Sequence, residues 1–261
     1  MNATATATIA AVLTGISLLA ATACTATQPA ALDQAARIAA SCPTDGSHIA
    51  AIIQSDQSAS RENSTAQPDT QQIIHDAAER TAICNGHFRV NIFAGSAIAT
   101  TVFDGDLRLD GATENARLRK APTAADDVMV HVNAALPDAS MQLPDGATDI
   151  VGQYQPAAEY EAQLAATGSY HLEETILTDG IQTVGQNLND PGLTPDEAQT
   201  LAGLVTVPNL AGATVRIIGV GRQADDAPLP TPYIAALRMF HTTVCERTRA
   251  ACTVVTDAAG A

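Results

Sequence analysis

The chain has 261 residues, 46% of them hydrophobic, enough to bury a full core in one large domain or two small ones. Only 3% are aromatic and tryptophan is absent, so that core has to be built from Ala, Val, Ile and Leu. A formal net charge of −15 repels phosphate backbones and argues against nucleic acid as a partner, while drawing cations or basic proteins from a distance.

Residues 1–23 carry no charge, and residues 9–23 are mostly apolar and end in small side chains. That run is too short to span a bilayer comfortably and suits the hydrophobic region of a signal peptide. Leu18-Leu19-Ala20-Ala21-Thr22-Ala23-Cys24 resembles a bacterial lipobox, after which Cys24 would carry diacylglycerol and anchor the protein on the outer face of the cell membrane. Ala21-Thr22-Ala23 also reads as an A-x-A site, with cleavage and release. Either way the protein leaves the cytoplasm. Residues 24–41, Ala-rich and Pro-containing, then form a tether that ends in a short helix, and residues 42–261 form one domain. Outside the cytoplasm the four remaining cysteines, Cys42, Cys84, Cys245 and Cys252, suggest disulfides, with three possible connectivities. No C-x-x-C pair is present to build a structural zinc site.

Along the chain, residues 48–54 read as a strand, and residues 68–84 as a helix with Ile73, Ile74, Ala77, Ala78 and Ile83 near helical spacing. Residues 88–94 and 99–103 are apolar enough for two more strands, and the short Gly95-Ser96 connection implies a hairpin. Helices are expected over 124–136 and 149–166, with a short strand at 174–177 and a polar Asn/Pro/Gly-rich loop over 182–193. Thr194 caps a helix over 194–204 with Pro195 at its first position. Residues 214–220 form a strand, and residues 232–248 a helix with Ile234, Leu237, Phe240 and Val244 on one face. Strands alternating with helices imply an open, doubly wound α/β sheet, mostly parallel because its strands are nearly unbroken apolar runs, with one antiparallel edge strand.

Ligands of such sheets bind beyond the carboxyl ends of the strands. Asp56, Ser58 and Ser60 follow the first strand there, Thr148-Asp149 precedes a helix, and Asp179-Gly180 follows a strand. Oxygen ligands with few negative charges suit a hard divalent cation such as Mg²⁺ or Mn²⁺. Hydroxyl ligands leave such an ion electrophilic, able to take an acidic group from outside. The D-x-S-x-S pattern of Asp56-Gln57-Ser58-Ala59-Ser60, then Thr148, then the T-D-G turn at Asp179, resembles the metal-ion-dependent adhesion site of von Willebrand factor type A domains, the family that includes integrin I domains. The likeness covers roughly residues 42–248, including FRVNIFAGSA as the second strand with its hairpin and LAGATVRIIGVG as a late strand.

The resemblance implies that Ser58, Ser60 and Thr148 coordinate the metal directly. Asp56 and Asp179 would act largely through water or hydrogen bonds, and an acidic group from a protein or peptide partner would complete the octahedron. On this topology Cys42 and Cys84 both fall at the opposite end of the sheet, which implies Cys42–Cys84 and leaves Cys245–Cys252 as a clasp on the last helix and tail. The chain-entropy relation gives about 4 and about 2.5 kcal/mol for the two bridges.

Other constellations carry less. Asp104-Gly105-Asp106 through Asp110-Gly111 lacks the ligands of an EF-hand and reads as a hairpin exit. His171 with Glu173 and Glu174 lacks H-E-x-x-H spacing, and Ala94-Gly95-Ser96-Ala97 is not a nucleophile elbow. Arg117-Leu118-Arg119-Lys120 reads as a solvated helix face within a long segment between the third strand and Thr148. The expected function is therefore a metal-dependent, adhesion-type binding module rather than an enzyme. The alternatives are a hydrolase or phosphoryl-transfer enzyme using the same cluster, which needs a base beside the ion, and an envelope scaffold with a vestigial site.

Overall fold

Strand β1 (His48–Asp56) is the axis of the fold. Its residues are apolar on both faces: Ile49, Ala51 and Ile53 enter one core, and Ala50 and Ile52 enter the other. A strand buried on both sides needs neighbours on both edges, and β1 has parallel partners in β2 (His87–Phe93) and β4 (Tyr170–Leu177). The computed structural model describes residues 27–58, 69–95, 99–144, 146–222 and 228–258. The signal-like segment, Cys24 and Ser60 lie outside the described residues.

The sheet has six strands in the order β3-β2-β1-β4-β5-β6. β5 (Thr214–Ile218) and β6 (Ala251–Val255) extend it in parallel beyond β4, and β3 (Ala99–Asp106) pairs antiparallel with β2 at the other edge. This is the mostly parallel, doubly wound α/β architecture with one antiparallel edge. Two differences from the sequence reading concern its ends. Residues 251–255, read as a tail, form the sixth strand. The expected tether is largely helical: α1 (Thr27–Ala40) buries Ala35 in the core.

On one face lie α1, α2 (Thr70–Ile83), α3 (Glu114–Leu118) and α4 (Ala121–Ser140). On the other lie α5 (Tyr154–Ala165), α6 (Pro195–Gly203) and α7 (Thr231–Arg247). Local signals explain their starts. The Asp69 side chain accepts from Gln72 N to begin α2, and Thr194 and Glu197 form a reciprocal capping box at α6. The long segment before Thr148 holds two helices packed on the core. In its basic run Leu118 is buried, and Arg117 Nη1 donates to the Ile83 carbonyl at 2.7 Å, satisfying the end of α2.

Cys42 is joined to Cys84, and Cys245 on α7 to Cys252 on β6. The first bridge fastens the end of α1 to the end of α2, where Arg80 also donates to Ser41 Oγ and pairs with Glu173. Disulfides of this kind point to an oxidising, extracytoplasmic compartment. Among the described residues no helix is long and apolar enough to cross a membrane.

One patch of the core is polar. Under the start of α5, Gln54 Nε2 donates to the Gln153 carbonyl and to Glu174 Oε1. Gln54, Gln153, Tyr154 and Glu174 are all fully buried, and each keeps a side-chain oxygen without a hydrogen-bond partner among the described residues.

Candidate metal centre

In a sheet of this order, β1 leaves towards β2 on one side while β4 lies on the other, so a crevice opens beyond the carboxyl ends of β1 and β4. Asp56 is the last residue of β1 and is 1% exposed. Its Oδ1 accepts from Ser58 N at 2.9 Å, which turns the chain sharply after the strand. Its Oδ2 accepts from Thr178 Oγ1 at 2.8 Å, tying the end of β1 to the residue that follows β4. Gln57 N donates to the Phe93 carbonyl, so the same turn is also held by the end of β2.

Asp179 is fully buried. Its Oδ1 accepts from Ile181 N at 2.9 Å, a side-chain turn made possible by Gly180 at φ +85°, where a β-carbon would be strained. Gly180 N donates back to Thr178 Oγ1, Gly221 N donates to the Asp179 carbonyl, and His241 Nε2–H donates to the Gly180 carbonyl at 2.8 Å. Burial pushes the His241 imidazole down to about 4, outweighing the Gly180 contact, so the ring is neutral at neutral pH. Every part of this turn is fixed, yet Asp179 Oδ2 has no hydrogen-bond partner among the described residues.

Thr148 is 4% exposed and joins the same crevice through its backbone. Thr148 N donates to Thr183 Oγ1 at 2.7 Å, and the Thr148 carbonyl accepts from Thr183 N and Val184 N. Gln182 ties the two loops together: its Oε1 accepts from Ile150 N and Val151 N, and its Nε2 donates to Asp149 Oδ1. Asp149 Oδ1 also accepts from Gly152 N within the short 3₁₀ turn Val151–Gln153, so Asp149 rather than Thr148 holds that turn. Gly95 N donates to the Ala147 carbonyl, linking this loop to the end of β2.

The structure thus brings Asp56, Ser58, Thr148 and Asp179 to one end of the sheet through a continuous set of hydrogen bonds; Ser60 lies outside the described residues. Sequence reasoning missed Thr178, Gln182 and His241. Thr178 could have been found from its place directly before Asp179-Gly180; the other two act from positions with no recognisable spacing. The donors are all oxygens, and the orphaned, fully buried Asp179 Oδ2 is what a bound cation would satisfy. The residues therefore fit a hard divalent ion.

No family model matches the chain, and no curated protein matches it. Solved structures that resemble it include the conserved hypothetical protein BatB from Bacteroides thetaiotaomicron, at 12% identity over 80% of this chain and 89% of that one, with a TM-score of 0.37. Another is the ArnB paralog VWA2 from Sulfolobus acidocaldarius, at 9% identity over 81% of this chain and 42% of that one, with a TM-score of 0.36. Neither likeness is close enough to carry an argument about function.

Proposed function

We propose that the protein is an extracytoplasmic binding module of the von Willebrand factor type A kind, which holds Mg²⁺ or Mn²⁺ at Asp56, Ser58, Ser60, Thr148 and Asp179. When bound, the ion supplies an electrophilic position for an acidic group of a protein or peptide partner. The chain's own residues do the rest. Ser58, Ser60 and Thr148 would supply hydroxyl ligands to the ion, Asp56 orients the first loop and Thr178 couples it to the second. Asp179 balances charge from a turn held by Gly180, Gly221 and His241.

The observation that carries this reading is Asp179 Oδ2, a fully buried carboxylate oxygen without a partner among the described residues, at the crevice end of the sheet. Binding is favoured over catalysis because His241, the imidazole described at this end, is fully buried and out of reach of a substrate as a base. Lipidation at Cys24 would hold the module, residues 42–261, on the outer face of the cell membrane.

The test is a peptide array carrying a central Asp or Glu beside Asn and Gln counterparts, probed with the protein in Mg²⁺ and in EDTA. Retention of acidic peptides only, and only with Mg²⁺, is expected. Retention that is equal in EDTA, or indifferent to the acid-to-amide change, contradicts the reading.

A further inference from the structure

Away from that crevice, α2 gathers a second set of ligand atoms. One side-chain nitrogen of His75 and one carboxylate oxygen each from Asp76 and Glu79 lie within 4.8 Å of one another. His75 and Glu79 are four residues apart and share a helix face, with Asp76 beside them. We propose that His75, Asp76 and Glu79 form a site for a borderline divalent cation of the Zn²⁺ type, with Asp126 of α4 orienting the imidazole.

The two ring nitrogens of His75 are placed differently, and the difference points to a ligand. Nε2 lies 3.3 Å from Asp126 Oδ1, a carboxylate contributed by the neighbouring helix. Nδ1 is buried, has no hydrogen-bond partner among the described residues, and lies 3.7 Å from Asp76 Oδ1. A carboxylate this close to Nε2 would favour the ring proton there and leave the Nδ1 lone pair on the side of Asp76. Metal-binding histidines are held in this way, with the far nitrogen donating to an outer carboxylate. Side chains this close converge on one ion by small rotations.

Asp76 and Glu79 border a cavity of about 270 Å³, which gives an ion an approach from solvent. A nitrogen beside two carboxylates selects Zn²⁺ over Mg²⁺, whereas the all-oxygen set at Asp179 does the reverse. The two sites are therefore separable by metal.

The experiment is a calorimetric Zn²⁺ titration of the full chain with Mg²⁺ already in excess, repeated on His75→Ala, His75→Gln and Asp126→Asn, with circular dichroism to confirm each fold. One equivalent of Zn²⁺ is expected to bind and to raise the thermal midpoint. Both His75 variants should lose that binding by at least about a hundredfold, and Asp126→Asn by about tenfold, while the response to Mg²⁺ is unchanged. Co²⁺ in place of Zn²⁺ should give visible d–d absorption that disappears in His75→Gln. Absence of saturable Zn²⁺ binding, or equal binding by wild type and both His75 variants, overturns the proposal.

Discussion

Asp179→Asn is expected to weaken Mg²⁺ binding by roughly a hundredfold, the effect of removing about 3 kcal/mol of charge pairing in a desolvated site. Asn keeps the oxygen that accepts from Ile181 N, so the turn held at Gly180 survives and the loss is confined to the orphaned second oxygen. In the absence of metal the same substitution should not destabilise the protein, because it keeps the Ile181 N contact and replaces an oxygen that has no partner among the described residues. Urea denaturation in EDTA, set beside Mg²⁺ titration, reads both halves. An unchanged affinity, or a loss of several kcal/mol in EDTA, would mean that Asp179 serves the fold rather than an ion.

Glu174→Gln is expected to stabilise the protein by on the order of 3 kcal/mol at pH 7 and to remove a pH dependence. Burial pushes the Glu174 carboxyl from 4.5 up to about 8, and the Gln54 amide that donates to Oε1 offsets only part of this. The folded chain therefore holds a proton that the unfolded chain releases above about 4.5. The favourable contribution is complete below that pH and is lost as pH rises towards 8. In this window stability falls by about 1.4 kcal/mol per pH unit. Gln keeps the shape and cannot ionise, and its amide can donate to the orphaned oxygens of Gln54 or Tyr154. Denaturation midpoints across this range should slope downward for wild type and lie flatter for the variant; parallel slopes would contradict the buried-proton reading.

Much of the fold is legible in the sequence for a physical reason. β1 carries Ile and Ala into the core on both faces, while β2 buries Phe88, Val90, Ile92 and Phe93 and β5 buries Val215, Ile217 and Ile218; segments with that apolar content cannot be solvated loops. β6 escaped because Ala251–Val255 is an edge strand of mostly half-buried residues, entered through Arg249 at φ +70° straight from α7. The early part of β4 escaped because Tyr170, His171 and Glu173 face partly outward, so only its last four residues read as a strand. α4 is longer than its pattern suggests: Pro137 lies in its last turn, where a proline usually marks an end.

At the candidate site, Asp56 and Asp179 are visible in sequence because each comes within three residues of the end of an apolar run. Thr178, Gln182 and His241 are not, because their roles are to bond one loop to another across long stretches of chain. The same holds for Asp126, which meets His75 only because α4 packs on α2.

The most direct measurement is a calorimetric titration of Mg²⁺ into the wild-type protein and into Ser58→Ala. Ser58 sits in the turn that Asp56 Oδ1 fixes at the end of β1, so removing its hydroxyl deletes a ligand and leaves the backbone hydrogen bond in place. Saturable binding of one Mg²⁺ by wild type, lost in Ser58→Ala with the fold intact, is the expected result. Equal binding by the two proteins, or none by wild type, would contradict the assignment of a divalent cation to this end of the sheet.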